Sequence, residues 1–135
     1  MTVIVTDAGF GPDTCEGPLP GLAFAAPDAP GVTLGPDADP AALAGRLGAL
    51  RLVRIVFPAF SDGRGFTIAQ RLRLMGYGGR LRAAGHVIAD QYAMLRRCGF
   101  DEVEIDDALA ARQPAEQWQF RADWRAHDYR SRLRA

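Results

Sequence analysis

The sequence predicts an α/β fold, in which a compact single domain is built on a mostly parallel sheet flanked by helices. Strand-like apolar runs alternate with segments of helical periodicity, as they do when parallel strands are joined by right-handed crossovers. Residues 52–57 form a near-continuous apolar run broken only by Arg54, which is typical of a strand covered on both faces. A length of 135 residues suits one domain. We therefore expect a three-layer sandwich, with a fragment of a (β/α) barrel as the alternative.

The amino-terminal third has the weakest pattern. Its predicted elements are a strand at 2–6, a glycine- and proline-rich loop at 8–20, short strands at 22–26 and 32–34, and a helix at about 40–49. The helix is predicted because Asp39 is a suitable N-cap and Pro40 suits the first helical turn.

The first central unit consists of the strand at 52–57, a polar turn and a helix. Ile68, Leu72 and Met75 stand at i, i+4 and i+7, so they are predicted to form one buried stripe on this helix. The glycine-rich residues 76–79 are expected to end it.

The second central unit repeats this order. A strand is predicted at 80–88, and Asp90 is the candidate N-cap of the helix that follows. Cys98 lies on the core-facing side of this helix, where a buried thiol is expected, and Gly99 is expected to end it. A last short strand is predicted at 103–105.

The charged residues exclude several classes of function. The formal net charge is +0, so we expect neither a nucleic-acid binder nor a membrane-surface protein, both of which rely on excess positive charge. All sixteen basic residues are arginines. A chain without lysine has no Schiff-base nucleophile and no Walker-type phosphate lysine.

The cysteines and the opening residues predict a cytoplasmic protein without a cofactor. Cys15 and Cys98 are far apart and form no CxxC pair, so neither a redox dithiol nor an iron–sulfur or zinc site is predicted. The first residues lack the basic and apolar regions of a signal peptide. No apolar run is long enough to span a membrane.

Polar turns follow both central strands. They contain the candidate ligand-binding residues Asp62, Gly63, Arg64, Gly65, Asp90 and Gln91. Because the carboxyl ends of parallel strands share one sheet edge, the two turns are expected to form one site. The glycines permit close backbone approach, and Arg64 offers a planar fork suited to an oxyanion. In the structural alternative, Asp62 caps the helix and Arg64 pairs with Asp90 to join the two loops.

Arg82 in the second strand is a further candidate for binding an anion. In a regular strand it shares a sheet face with His86. The alternative is that its aliphatic stem covers the sheet. His86 has no second histidine at metal-ligand spacing, so a structural role is favoured for it and no metal site is predicted.

The carboxyl-terminal segment differs in composition from the rest. Residues 114–135 interleave aromatic side chains with arginines, and we assign them to a terminal helix or arm beside an α/β domain at 1–113. The candidate partner-binding residues are Trp118, Arg121, Trp124 and Arg125, because Trp and Arg are enriched at protein interfaces. Acidic residues interrupt the stretch, which disfavours single-stranded nucleic acid as the ligand. Packing of this helix on its own domain is the alternative.

The central region resembles a known bacterial family. Residues 51–104 contain, in this order, FPAFSDGRGFTIAQRLR, GYGGRLRAAGHVIADQ and LRRCGFDEVE, and these segments together are similar to the family called domain of unknown function 934. The resemblance implies a functional surface without assigned catalytic roles. Its positions in this sequence are Asp62, Gly63, Arg64, Gly65, Gln70, Arg73, Arg82, Gly85, Asp90, Gln91 and Asp101.

Members of that family are often encoded beside sulfite reductase and other genes of assimilatory sulfate reduction. The resemblance therefore implies an accessory protein of sulfite reduction, which docks to the reductase or another sulfur-assimilation protein or supports its electron supply. The alternative is a small enzyme or oxyanion-binding protein whose pocket is formed by Asp62, Arg64, Asp90 and Gln91. The lack of cysteine clusters, of lysine and of a full dinucleotide fingerprint favours the accessory role.

Overall fold

The computed structural model describes residues 2–15 and 17–122. Within these ranges the strands are β1 (Thr2–Thr6), β2 (Gly9–Gly11), β3 (Gly31–Leu34), β4 (Leu52–Phe57), β5 (Arg80–Gly85) and β6 (Glu102–Asp106). The α-helices are α1 (Arg64–Leu74), α2 (Tyr92–Arg97), α3 (Asp107–Arg112) and α4 (Ala115–Gln119), and 3-10 helices lie at Leu22–Phe24, Pro40–Leu43 and Ala89–Gln91. Trp124, Arg125 and the remainder of the predicted terminal helix lie outside the described residues.

The strands form one sheet in the order β2-β1-β6-β5-β4-β3. β3, β4, β5 and β6 are parallel neighbours, whereas β1 and β2 add an antiparallel edge. The predicted class, a compact α/β domain with a mostly parallel sheet flanked by helices, is confirmed. The two central strands predicted from the sequence, β4 and β5, pair directly and in parallel.

The helices do not form layers on both faces of the sheet, as the three-layer arrangement required. The strands β3 to β6 follow one another across the sheet without a reversal, so right-handed crossovers bring the connecting helices to the same face. Buried residues of the helices accordingly join one hydrophobic cluster with Val53, Ile55 and Phe57. The order also lacks the reversal at which doubly wound sheets form their binding crevice.

The two faces of the sheet differ in chemistry, because successive strand residues point to opposite sides. The register places Val53 beside Leu81 on the helix-covered face. On the other face Arg54 lies beside Arg82, which in turn lies beside Glu102. The sheet is therefore apolar where the helices pack and charged on its opposite side.

Arg82 is the centre of the charged face and is completely buried. Its Nε donates to Glu102 at 2.7 Å and its Nη1 donates to Glu104 at 3.1 Å. Two further hydrogen bonds reach both carboxylate oxygens of Asp13, in the loop after β2. Burial alone would lower the pKa of Arg82, but the Asp13 and Glu102 carboxylates outweigh it and raise that pKa. The guanidinium charge is balanced within the protein and covered by the amino-terminal loop.

Several amino-terminal elements differ from the prediction. Residues 9–11 form β2 inside the predicted loop, because they pair with β1 across a tight turn. Leu22–Phe24 is a 3-10 helix rather than a strand. Asp39 does accept a hydrogen bond from the Ala41 N–H, as predicted, but the helix that it begins is the single 3-10 turn Pro40–Leu43.

The central elements differ in detail. Ile68 and Leu72 are buried as predicted, whereas Met75 is 36% exposed, because α1 ends before it. β5 ends at Gly85, whose φ of +100° turns the chain out of the strand. His86 therefore stands outside β5 and does not continue the face that carries Arg82.

The described part of the predicted arm packs on the domain. Trp118 is completely buried in the same hydrophobic cluster as the sheet. Its ring lies edge-on to Tyr92, with 6.1 Å between ring centroids, and its Nε1 donates to the Gln113 carbonyl at 2.9 Å. Trp118 was predicted to contact a partner, but in this structure its indole is buried inside the domain and stabilises the domain itself.

Candidate functional site

The turn after β4 holds Asp62 and Arg64 in a local ion pair. The Arg64 Nη2 lies 2.6 Å from Asp62 Oδ2, and its Nε donates to the same carboxylate. The Asp62 carboxylate also accepts from the Arg64 backbone N–H. Hydrogen bonds from Arg64 lower the pKa of Asp62 to about 2, so its carboxylate remains ionised. The pair shapes the turn that leads into α1.

Arg64 also joins two loops, although its partner differs from the predicted one. Its Nη1 donates to Asp37 in the loop after β3, and Asp90 is not among its partners. Loop joining was expected with Asp90, but Asp90 instead pairs with Arg121 at 3.0 Å. Asp62 does not occupy the N-cap position of α1, which is Gly63, but its carboxylate accepts from the N–H of Arg64, the first residue of the helix. The side chain of Arg64 is 53% exposed, so part of it still faces solvent.

Gly63 and Gly65 in the first turn and Gly85 at the end of β5 have different physical roles. A Cβ added at Gly65 would lie 2.5 Å from the Phe57 ring, so glycine lets α1 pack closely on β4. At Gly85 an added Cβ would meet the Phe57 carbonyl oxygen at 2.8 Å, and φ is +100°. A Cβ at Gly63 would meet nothing within 4 Å. Packing explains Gly65 and Gly85, whereas Gly63 leaves open space at the edge of the sheet.

Gln91 connects the second turn to the first. Its Oε1 accepts from the Ile88 N–H at 3.0 Å, and its Nε2 donates to the Phe60 carbonyl at 2.6 Å. The two predicted turns therefore meet at the carboxyl edge of the sheet, as expected. Asp90 does not cap a helix, because it lies within the 3-10 helix Ala89–Gln91 that precedes α2.

A cavity of about 560 Å³ opens at this edge, at the ends of β5 and β6. We call it the carboxyl-edge cavity. Its apolar wall includes Phe60, Ile88 and Leu109, and its polar lining includes His86 and Arg112. The predicted site residues Asp62, Arg64, Asp90 and Gln91 lie outside its lining. Gln91 nevertheless fixes two of its walls through Phe60 and Ile88.

Sequence reasoning missed the polar residues of this cavity. Arg112 lies in the last turn of α3 and makes no hydrogen bond or ion pair within the described residues. Gln113, beside it, accepts from the Ala89 N–H at 2.8 Å. His86 is exposed, whereas a structural role was favoured for it from the sequence. The sequence order carried part of the information, because residues that directly follow a parallel strand lie at the carboxyl edge of the sheet. His86 follows β5 in this way, and α3 follows β6.

The chemistry of the cavity is that of an anion or polar-ligand site. An arginine fork and an imidazole stand beside apolar walls, an arrangement that suits a small molecule with a negatively charged group. Glu104 and Asp106 are also in the lining. Glu104 is neutralised by Arg54 and Arg82, and Asp106 N-caps α3 by accepting from the Leu109 N–H.

The signature residues at the opposite, amino edge are mainly structural. Arg73 donates to the carbonyls of Tyr77, Gly79 and Gly99, and its Nη2 pairs with Asp101 at 2.9 Å. Asp101 also accepts from the Leu81 N–H. Gln70 is exposed on α1.

Exposed aromatic side chains lie around the carboxyl edge. Phe60 is 58% exposed and Phe120 is 78% exposed. The Asp90–Arg121 ion pair lies beside Phe120, whose ring centroid is 5.2 Å from the Arg121 guanidinium. Gln91, which follows Asp90 in the chain, donates to the Phe60 carbonyl. We call Phe60, Asp90, Phe120 and Arg121 the carboxyl-edge patch.

The described residues carry no cluster of three or more His, Cys, Asp or Glu side chains that could hold a metal ion. Across the same part of the chain, no helix combines the length and apolarity that crossing a membrane requires.

Comparison with known proteins gives one family. Residues 31–134 match the family described as bacterial protein of unknown function (DUF934). Comparison with the curated proteins and with the solved structures gives no match.

Proposed function

The chain belongs to the DUF934 family, and we propose that it is an accessory protein of assimilatory sulfite reduction that docks to sulfite reductase or to another protein of sulfur assimilation. The pathway comes from the gene neighbourhood that the family resemblance implies. Docking, in the cytoplasm, is the mode of action that the surface of the molecule favours. Electron-supply support would follow from the same docking.

The carboxyl-edge patch is the observation that carries docking. Water-exposed Phe60 and Phe120 are large apolar side chains whose burial against a partner would stabilise a complex. The Asp90–Arg121 ion pair lies beside Phe120, and aromatic and arginine side chains are enriched at protein interfaces. Arg121, which the sequence singles out for partner contact, belongs to this patch.

The test is binding of the purified chain to purified sulfite reductase, with Phe120→Ala as the probe. We expect this variant to bind at least about tenfold more weakly, since aromatic anchors at interfaces contribute about 2 kcal/mol or more. Phe24→Ala is the matched control, because Phe24 is 88% exposed and lies outside the patch. Equal binding of both variants, or no binding by the wild type, would remove the support for docking at this patch.

The carboxyl-edge cavity favours a second candidate function, a small enzyme or oxyanion-binding protein. Its Arg112 has no partner within the described residues, and Arg112 and His86 both belong to a lining with apolar walls. In this candidate the cavity, rather than the turns at 61–65 and 89–91, receives the ligand. Calorimetric titration with sulfite and sulfate tests it: Arg112→Ala should abolish the binding of either anion, and Arg46→Ala should not.

A further inference from the structure

A second, wider concavity lies at the amino edge of the sheet, opposite the carboxyl-edge patch. Its volume is about 770 Å³, and it is bordered by the residues that precede β4, β5 and β6. Four of its nine lining residues are arginines and one is acidic. We call it the amino-edge concavity; its arginines are Arg51, Arg73, Arg80 and Arg96.

The walls of the concavity are held in place by Arg73. Its guanidinium donates to carbonyls on both sides, those of Tyr77 and Gly79 before β5 and that of Gly99 before β6. The Asp101 carboxylate, the one acidic group in the lining, is occupied by Arg73 and by the Leu81 N–H. These bonds fix the loops before a ligand arrives, which lowers the entropic cost of binding.

Arg51 differs from the other arginines because its backbone is fixed and its side chain is not engaged. Its N–H donates to Pro30 at 2.7 Å and its carbonyl accepts from Arg80 at 3.0 Å. Within the described residues its exposed guanidinium makes no hydrogen bond or ion pair. The side chain can therefore meet a ligand without breaking a contact of the fold.

The glycine turn before β5 adds uncommitted backbone donors. In the described part of the chain, the N–H groups of Gly78 and Gly79 make no hydrogen bond, whereas those of Gly76, Tyr77 and Arg80 each do. A Cβ at Gly78 would meet nothing within 4 Å, so the backbone is open to close approach. Adjacent free amides beside an arginine fork are a recurrent way of holding oxyanions.

We propose that the amino-edge concavity binds a small molecule through a phosphate or sulfate group, with Arg51 and the Gly78 and Gly79 amides as its direct contacts. The positive charges of Arg73, Arg80 and Arg96 favour the anion at longer range. Glu102, which pairs with Arg80, and Asp7, which pairs with Arg96, are not part of the lining. Asp101, which is part of it, lies 3.8 Å from Arg96 and is a single carboxylate against four arginines. The concavity therefore presents a positive surface although the whole chain is neutral.

The experiment is calorimetric titration of the full chain with inorganic phosphate, sulfate and pyrophosphate at low ionic strength. We expect at least one of these anions to bind, and Arg51→Ala to weaken it by about tenfold to a hundredfold, the usual contribution of a charge-assisted hydrogen bond. Thermal melts of Arg51→Ala should match the wild type, since no contact of the fold is removed. Arg51→Lys, which keeps the charge but loses the fork, should bind with intermediate affinity.

Arg46→Ala is the matched control, because Arg46 lines neither the amino-edge concavity nor the carboxyl-edge cavity and its side chain makes no hydrogen bond or ion pair within the described residues. It should leave anion binding at the amino edge unchanged. Loss of binding in Arg112→Ala but not in Arg51→Ala would overturn this proposal in favour of the carboxyl-edge cavity, and wild-type protein that binds none of the three anions would overturn it outright. Neither result depends on whether the chain docks to sulfite reductase.

Discussion

Gly65 and Gly63 look alike in the sequence but differ in what a side chain would meet. The Phe57 ring beneath Gly65 is completely buried and packs against Phe66 and Phe100, with ring centroids at 5.2 and 5.8 Å. It therefore has little room to move when a methyl group is added 2.5 Å away. The glycines of this turn suggest the close approach of a ligand, but at Gly65 glycine is needed for the helix to pack on the sheet.

We predict that Gly65→Ala lowers the free energy of unfolding by about 1 to 3 kcal/mol, the usual cost of overpacking a core. Gly63→Ala is the control, and it should change stability by no more than about 0.5 kcal/mol, because open space surrounds the position. Urea denaturation measures both variants. Equal stability of the two would contradict the packing explanation for Gly65.

The Asp62 carboxylate reports on the Arg64 ion pair. Its pKa is lowered from the ordinary value of 3.8 to about 2 by the Arg64 hydrogen bonds. A lowered pKa means that the pair contributes to stability above pH 3.8 and that this contribution is lost as the pH falls towards 2. Arg64→Ala should return the pKa of Asp62 towards 3.8. A carboxyl-carbon NMR titration of both proteins measures this, and an unchanged pKa in the variant would show that Arg64 is not the cause.

Among the secondary-structure elements, the charged face of β4, β5 and β6 depends most on one side chain. Arg82 holds Glu102 and Glu104 on the neighbouring strand and Asp13 in the covering loop. Removing it breaks four hydrogen bonds to carboxylates and leaves Glu102 and Glu104 with one arginine each, the more exposed Arg80 and Arg54. Such a loss inside the protein costs more than an exposed ion pair contributes. The loop after β2 is fastened to the sheet by the same guanidinium.

We predict that Arg82→Ala lowers the free energy of unfolding by about 3 to 5 kcal/mol, and that Arg54→Ala lowers it by no more than about 1 kcal/mol. Arg54 is the matched control because it is partly exposed and because Glu104 retains Arg82 when Arg54 is removed. Chemical denaturation gives both values. Similar losses in the two variants would mean that the buried Arg82 contributes no more to the free energy of unfolding than the partly exposed Arg54.

Elements with a strong periodic signal are predicted well from the sequence. β4 and α1 follow from the apolar run at 52–57 and from Ile68 and Leu72 at helical spacing. The parallel pairing of β4 with β5 follows from the repeated strand-turn-helix order. Local composition and spacing are sufficient there, because core burial acts on the same residues that carry the pattern.

What the sequence does not predict depends on contacts between distant residues. Nothing near Arg82 in the chain indicates that Asp13 will cover it, so its anion-binding role appeared open. Likewise, nothing in the sequence indicates that Arg64 pairs with Asp37 and that Asp90 pairs with Arg121. The single-face placement of the helices depends on the strand order, which local patterns do not encode.

At the scale of the whole molecule, the two edges of the sheet have separate roles in these proposals. The carboxyl edge presents exposed aromatic groups and a cavity, and the amino edge presents an arginine-lined concavity. The hydrophobic core lies between them and includes Trp118 from the carboxyl-terminal segment. Deleting residues 114–135 would therefore remove a core side chain together with any docking group, and its effect on function would be confounded with unfolding.

The growth prediction therefore relies on point variants. A strain that lacks this protein should grow more slowly on sulfate than on cysteine, because an accessory protein of sulfite reduction is needed only when sulfite must be reduced. Complementation with Phe24→Ala should restore growth on sulfate, and Phe120→Ala should not, although both exposed side chains can be removed without disturbing the core. Immunoblots confirm equal amounts of the two variants. Normal growth of the deletion strain on sulfate would contradict the sulfur-assimilation role, whereas full complementation by Phe120→Ala would contradict docking through the carboxyl-edge patch and leave the pathway assignment standing.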